Sequence, residues 1–319
     1  ATSESHVIYR LSDTLADLGP NFCGSEKSLG QASRLQPALA GYQALAKTLQ
    51  AGALTGATAN RQIDVAVVAD FEFANMLGSG SESRLLRYMQ IVDGIFSAQV
   101  GVQINVGSMT VFNTASDPFT KTADTALLCE VGAYKNSTAA LRSSGIAHLF
   151  TGKTLDGTTV GIGYTGSVCA GSGRDSTNCS GQIVDFASSL SEGLRGGNAA
   201  GSSFPVSALI AAHEIGHNFG AIHDGEVGKS CEATPQTFLM APRINGSSQF
   251  SQCSLDTMAA YIAGVSCLRP VNLGTANVAA RAAVSPQSLL LDETRPIDIV
   301  VNSTAAATAA DVQLQIAVA

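Results

Sequence analysis

Three of the five histidines in the 319-residue chain lie in one short segment, HEIGHNFGAIHD at 213–224. Positions four apart on an α-helix lie one turn apart on the same face, so His213 and His217 can point at a common site. If the helix continued, His223 would lie ~240° around the axis from His217 and ~9 Å further along. Gly220 accepts the left-handed backbone conformation that ends many helices. The segment therefore predicts a helix that stops after His217 and a chain that turns back.

Three neutral imidazoles brought together in this way are typical of a catalytic zinc site, because they leave one of four tetrahedral positions open for water. A closed structural site would need a fourth protein ligand. Glu214 follows the first histidine and can act as general base toward that water without binding the metal. The pattern makes a joint geometric demand that an ordinary amphipathic helix does not make. His6 and His148 stand outside it, and we interpret them as surface or packing residues.

Charge and hydropathy exclude several classes of partner. Only 13% of residues are charged, the net charge is −7, and there is no run of lysine or arginine. Nucleic acid and anionic membrane surfaces are therefore not expected partners. No apolar run approaches the ~18 to 20 residues that span a bilayer.

The cysteines indicate disulfides and an oxidising compartment. None stands in a CxxC pair, which argues against a zinc ribbon or a thioredoxin-like redox site. Scattered cysteines in a chain with few charges suit a secreted, extracellular protein. An odd count leaves one thiol to explain. The seven positions are 23, 129, 169, 179, 231, 253 and 267.

The middle of the chain has the pattern of an α/β unit. IDVAVVAD at 63–70 predicts a buried strand, 82–99 has apolar residues at helical spacing, and 102–112 predicts a second strand. Strand, helix, strand in this order favours parallel pairing. Further on we predict a helix near 137–143, strands at 146–150, 160–166 and 182–186, and a helix that begins near Pro205.

The two ends differ from this middle. Residues 1–60 form a short N-terminal segment that precedes the first predicted strand. Beyond Pro270, short strands alternate with Ser/Thr/Ala-rich stretches, as at the start of a β-sandwich that needs about seven strands. We therefore divide the chain into an N-terminal segment (1–60), a catalytic domain (61–270) and the truncated beginning of a β-rich domain (271–319).

The motif HExxHxxGxxHD resembles the zinc-binding motif of the metzincin metalloproteases. Asp224, directly after the third histidine, resembles the pattern of the adamalysin subfamily (reprolysin, ADAM and ADAMTS). Weaker matches follow in the family's order over residues 61–269. They are the opening strand IDVAVVAD, VGIGYTGSVC at 160–169, the Met-turn FLMAP at 238–242, and FSQCS at 250–254.

The resemblance implies an α/β (α+β) catalytic domain with a mixed sheet and an active-site helix. Met240 would lie beneath the zinc site, although a core methionine is the plainer alternative, and Asp224 would anchor its loop by hydrogen bonds. Substrate would add as a strand along an edge of the sheet. The resemblance assigns that edge to Gly161, Ile162, Gly163 and Tyr164, and a wall of the adjacent pocket to Pro242, Arg243 and Ile244.

The same resemblance implies three disulfides, Cys169–Cys267, Cys231–Cys253 and Cys129–Cys179. Cys23 is then left over, in NFCGSE. Proenzymes of this family often place an unpaired cysteine on the zinc, where a thiolate takes the position of water. We therefore consider Cys23 as an inhibitory fourth ligand, with an altered disulfide scheme and an inert buried thiol as alternatives.

A calcium site fits the sequence less well. Asp64 can supply one ligand by resemblance, but Gly145 replaces a second, and Asn272 is displaced from the position of a third. Taken together, the sequence predicts a secreted, monomeric zinc endopeptidase of bacterial style that acts on proteins or peptides. The alternatives are an inactive binding module that keeps the fold, or a metzincin of another subfamily.

Overall fold

A computed structural model of the chain describes residues 59–193, 204–271, 278–283 and 298–303. Cys23 and Asn272 lie outside the described residues. The chain divides into two compact units, Ala1–Pro270 and Val271–Ala319. In the second unit, Val278–Ala283 and Asp298–Ser303 form one antiparallel strand pair, and the beginning of a β-sandwich stays a prediction.

A mixed sheet forms the centre of the first unit. Its strands are β1 (Arg61–Ala69), β2 (Val102–Val111), β3 (Ile146–Thr151), β4 (Gly161–Gly163), β7 (Ser188–Glu192) and β8 (Arg269–Pro270). The order is β2-β1-β3-β7-β4. The first four of these strands are parallel, and β4 is antiparallel to β7 at the edge. The short β8 pairs antiparallel with the start of β1. Strands β5 (Ser172–Asp175) and β6 (Gln182–Asp185) form a separate hairpin.

Helices cover both faces of this sheet. They are α1 (Phe71–Leu77), α2 (Ser81–Gln99), α3 (Asp124–Ser137), α4 (Ala139–Arg142), α5 (Phe204–Asn218) and α6 (Gln252–Ile262). Strand β1 is buried on both sides: Val65 and Val67 pack toward α2 and α5, whereas Ala66 and Val68 pack toward α3. This explains its nearly continuous apolar sequence. No helix among the described residues is long and apolar enough to cross a membrane.

The structure corrects two sequence-based expectations. The predicted helix near 137–143 is wrong in extent, because the main helix is Asp124–Ser137 and only the short Ala139–Arg142 follows it. Gly132 obscured this helix because glycine lowers helix propensity. A Cβ at Gly132 would lie 2.8 Å from the Val184 Cβ, so the helix packs closely on β6 there. The predicted strand 160–166 is also shorter, and pairs only over Gly161–Gly163.

Strand β7 was not predicted, because SSLSE lacks an apolar pattern. Its serines are fully buried, and His148 on β3 explains how they are satisfied. The ring nitrogens of His148 lie 2.8 Å and 2.9 Å from the hydroxyls of Ser189 and Ser191. A neutral imidazole has one donor and one acceptor nitrogen, so one serine donates to the ring and the other accepts from it. His148 is therefore a packing residue.

Because His148 is buried, we expect the free energy of unfolding to depend on pH. Burial lowers the pKa of His148 from 6.5 to about 3, so between these values the unfolded chain binds one more proton than the folded chain. The contribution of neutral His148 to the free energy of unfolding is complete above about pH 6.5. It falls by about 1.4 kcal/mol per pH unit below that value. His148→Asn keeps hydrogen-bonding groups but does not titrate.

Denaturant unfolding of both proteins between about pH 7.5 and pH 5 measures the effect. As the pH falls over this range, the free energy of unfolding of the wild type should decrease by about 2 kcal/mol more than that of His148→Asn. A difference between the two proteins that stays constant with pH would contradict the prediction.

Candidate metal centre

The three motif histidines converge on one point. Helix α5 ends at Asn218, and Gly220 adopts a positive φ of 96°. The returning chain places the Nε2 atom of His223 3.2 Å from Nε2 of both His213 and His217. Three nitrogens bound tetrahedrally at ~2.0–2.1 Å from a zinc ion would lie ~3.3 Å apart. The observed spacing therefore fits such an ion.

Hydrogen bonds at the opposite side of each ring fix the orientation of the histidines. The Nδ1 atoms of His213 and His217 lie 2.7 Å and 2.8 Å from the carbonyl oxygens of Leu239 and Ala221. A carbonyl oxygen only accepts, so these Nδ1 atoms carry the proton and each Nε2 keeps its lone pair for a metal. The arrangement has the chemistry that a zinc ligand set requires.

The third histidine faces a carboxylate instead of a carbonyl. Nδ1 of His223 lies 3.5 Å from Oε2 of Glu226, which is three residues further along the chain. A carboxylate beside the outer nitrogen of a ligating histidine raises the basicity of the ring. Glu226 was not identified from the sequence, because an acidic residue in a glycine-rich turn carries no motif.

Burial keeps the three rings neutral. It lowers the pKa of His217 to about 4 and that of His223 to about 2. Burial together with the neighbouring imidazoles lowers the pKa of His213 well below its usual value. Neutral imidazole is the form that binds a metal.

Glu214 and Met240 lie on either side of the helix turn that carries the histidines. The Glu214 side chain is fully buried against the edge strand, at Gly161. Met240 is also fully buried, and its sulfur lies against Gly216 of α5. Met240 belongs to the main apolar core, so it is a core methionine that also packs against the helix carrying the histidines.

Asp224 holds the loop after the third histidine. Its backbone N–H donates to the Met240 carbonyl at 2.9 Å. Its side chain accepts hydrogen bonds from the hydroxyls of Ser251 and Ser254 at 2.7 Å and 3.3 Å. Burial raises the pKa of this carboxyl group, while the two serine hydroxyls oppose the rise. These contacts connect the histidine loop, the segment at Met240 and the start of α6.

The residues assigned to substrate binding fall into two groups. Gly161, Ile162 and Gly163 form β4, whereas the Tyr164 hydroxyl donates to Oδ2 of Asp175 at 2.9 Å. The Tyr164 side chain is thereby engaged with the β5–β6 hairpin. A small pocket lies beside Leu209 and Ile210 of α5, and Pro242 is not among the residues that line it. These are Leu209, Ile210, Leu239, Arg243, Ile244, Asn245, Gly246 and Ser247.

All six cysteines in the described residues form disulfides, and the pairs are those that the resemblance implies. They are Cys129–Cys179, Cys169–Cys267 and Cys231–Cys253. Asp64, which could supply one calcium ligand by resemblance, forms an exposed ion pair, and its Oδ2 lies 2.6 Å from Nη2 of Arg269.

Asn218 is a further residue that sequence reasoning missed. It is fully buried at the end of α5, and its amide Nδ2 donates to the carbonyls of Tyr164 and Ser188 at 2.9 Å and 3.1 Å. It thereby joins the metal-site helix to the end of β4 and the start of β7. Its place directly after His217 was the available signal.

Comparison with known proteins gives two findings. A family model described as Metallo-peptidase family M12 (Reprolysin_5) matches residues 59–251, which is more than half of the chain. A human relative, disintegrin and metalloproteinase domain-containing protein 9, is 31% identical over 100 residues. That similarity covers 31% of this chain and 10% of the human protein, so the chain spans only a small part of the relative's length.

Proposed function

The chain belongs to metallopeptidase family M12, and from this premise we propose that residues 61–270 form a zinc-dependent endopeptidase domain of the adamalysin type. The observation that carries the proposal is the convergence of three neutral imidazoles beside a buried glutamate. Nε2 of His223 lies 3.2 Å from both of its partners, the spacing that a tetrahedral zinc ion needs.

The roles of the side chains follow from their positions. His213, His217 and His223 would hold the metal, which when bound supplies a Lewis acid that polarises the scissile carbonyl and acidifies water. Glu214 would take the proton of the attacking water and pass it to the leaving amine. Glu226, which lies beside Nδ1 of His223, would raise the basicity of that ring.

The edge strand supplies the surface for a peptide. Within the described sheet, β4 pairs with β7 on one side only, so its other side offers backbone groups to an added strand. The small pocket lined by Arg243 and Ile244 would receive one substrate side chain. Recognition through the backbone suits an enzyme that cuts within protein chains.

Further parts of the proposal concern the whole protein. We propose that the protein is secreted, since three disulfides suit an oxidising compartment. We propose a bacterial source on the low proportion of charged residues, 13%. We propose a monomer, with residues 1–60 as a pro-region and 271–319 as the start of a β-rich domain. We do not include calcium in the proposal, because Gly145 replaces one of the expected ligands and Asn272 is displaced from the position of another.

The test combines metal analysis with a cleavage assay. The purified chain, before and after proteolytic removal of residues 1–60, is analysed for zinc and incubated with a denatured protein. Cleavage should stop with a chelator and return when zinc is added back. Stoichiometric zinc without cleavage in either form would favour the inactive binding module.

A separate prediction concerns latency. The six described cysteines are paired, so Cys23 is the cysteine that the disulfide scheme leaves over. If its thiolate occupies the open metal position, Cys23→Ser should cleave the protein substrate several-fold faster than the intact wild type. Cleavage between Gly52 and Asn60 should produce the same gain.

Ser25→Ala is the matched control, since it changes the same segment and keeps the thiol. It should stay as slow as the wild type. Full activity of the intact wild-type chain, or a disulfide that contains Cys23 on peptide mapping, would overturn the latency proposal and leave the metal site unaffected.

A further inference from the structure

We propose that Gly161 is a positioning residue for Glu214, and that the lack of a side chain at this point of β4 sets where the carboxylate lies. The proposal rests on the function proposed above. It differs from the role of β4 in binding a peptide backbone, because Gly161 would act through the general base.

The edge strand packs directly on the Glu214 side chain. A Cβ placed at Gly161 would lie 2.6 Å from Oε1, 2.8 Å from Cγ and 2.9 Å from Cδ of Glu214. These distances are far below van der Waals contact. Only a glycine at 161 allows the strand and the carboxylate to occupy these positions together.

Alternation along the strand shows that this contact belongs to one face. Ile162 packs on the opposite side of the sheet, in the core with Leu149 and Leu190. Gly163 shares the face of Gly161, and a Cβ there would lie 2.8 Å from the backbone oxygen of Glu214. The face of β4 toward α5 is therefore made of glycine alone.

The strand is held so that it cannot move away from the helix. Gly161 and Gly163 pair with β7. The Asn218 amide donates to the Tyr164 carbonyl at 2.9 Å. In addition, the Gly166 N–H donates to the His217 carbonyl at 2.8 Å. A methyl group at 161 must therefore be accommodated by Glu214.

The three atoms that would yield all belong to the Glu214 side chain, and none of them is backbone. Their displacement costs the fold little, but a general base must stay within ~2.6–3.2 Å of the proton that it accepts. A misplacement of about 1 Å can reduce a rate by roughly 10²-fold. We therefore expect Gly161→Ala to change catalysis far more than stability.

The experiment compares three glycine variants. Each is produced as the full chain and assayed after proteolytic removal of residues 1–60. Gly161→Ala should lower kcat by about 10- to 100-fold, with KM, zinc content and Tm close to the wild type. Gly163→Ala should lower Tm, since its methyl group meets backbone. Gly80→Ala is the neutral control, because a Cβ there has no atom within 4 Å.

Crystal structures of wild type and Gly161→Ala give a measurement independent of activity. The proposal predicts a displaced Glu214 carboxylate and an unmoved β4 backbone. It is overturned if β4 shifts and Glu214 stays, if kcat is unchanged, or if Tm falls as it does in Gly163→Ala. Inactivity of the wild type would instead reject the proposed function, and the two structures would still decide the role of Gly161.

Discussion

Replacing Glu214 with glutamine should abolish peptide hydrolysis while leaving zinc bound. Glutamine has nearly the same shape, so the three imidazoles and their Nδ1 partners stay in place. The amide cannot take a proton from water, and loss of a general base costs roughly 10²–10⁴-fold in rate. The measurement is kcat on a peptide substrate together with zinc content.

Glu82→Gln is the matched control, since it makes the same chemical change on the exposed side of α2. It should keep full activity and zinc. Normal turnover by Glu214→Gln would exclude Glu214 as the base, whatever the fate of the metal. Loss of zinc in Glu214→Gln would show that the glutamate supports the ligand set instead.

Replacing His217 with alanine should remove the metal itself. The Nε2 atom of His217 lies 3.2 Å from that of His223, so its loss takes one of three converging ligands from a fully buried site. Two imidazoles do not complete the ligand set of a catalytic zinc ion. Zinc content after dialysis against a weak chelator should fall to background, and cleavage should fall with it.

His148→Asn serves as the control, because His148 is equally buried but bonds to Ser189 and Ser191. This variant should retain zinc through the same dialysis. If His217→Ala keeps a full complement of zinc, the metal is bound elsewhere and the assignment of the three histidines is wrong.

Features with a joint spacing requirement could be predicted from sequence. The positions of His213, His217 and Gly220 demand a helix end at one place, and the structure ends α5 at Asn218. The opening strand could be predicted equally well, because a strand buried on both faces must be apolar throughout. In each case a single physical demand leaves few alternatives.

Features that depend on partners distant in sequence could not be predicted. Strand β7 is polar and buried, and it is explained by His148, which lies 41 and 43 residues before its two serine partners. Gly161 is unremarkable until Glu214 is placed against it. Glu226 could be identified only once the structure placed its carboxylate beside Nδ1 of His223. Such contacts arise from the tertiary arrangement and leave no periodic signal.

The pairing of β8 with β1 affects how residues 61–270 can be combined with other sequences. Arg61 lies opposite Pro270, so the two ends of this segment are neighbours in the sheet. Folded units with adjacent termini tolerate circular permutation and insertion into host chains. A short linker between these two positions should therefore join the ends of the segment, and new ends could be opened in an exposed loop without disturbing the sheet.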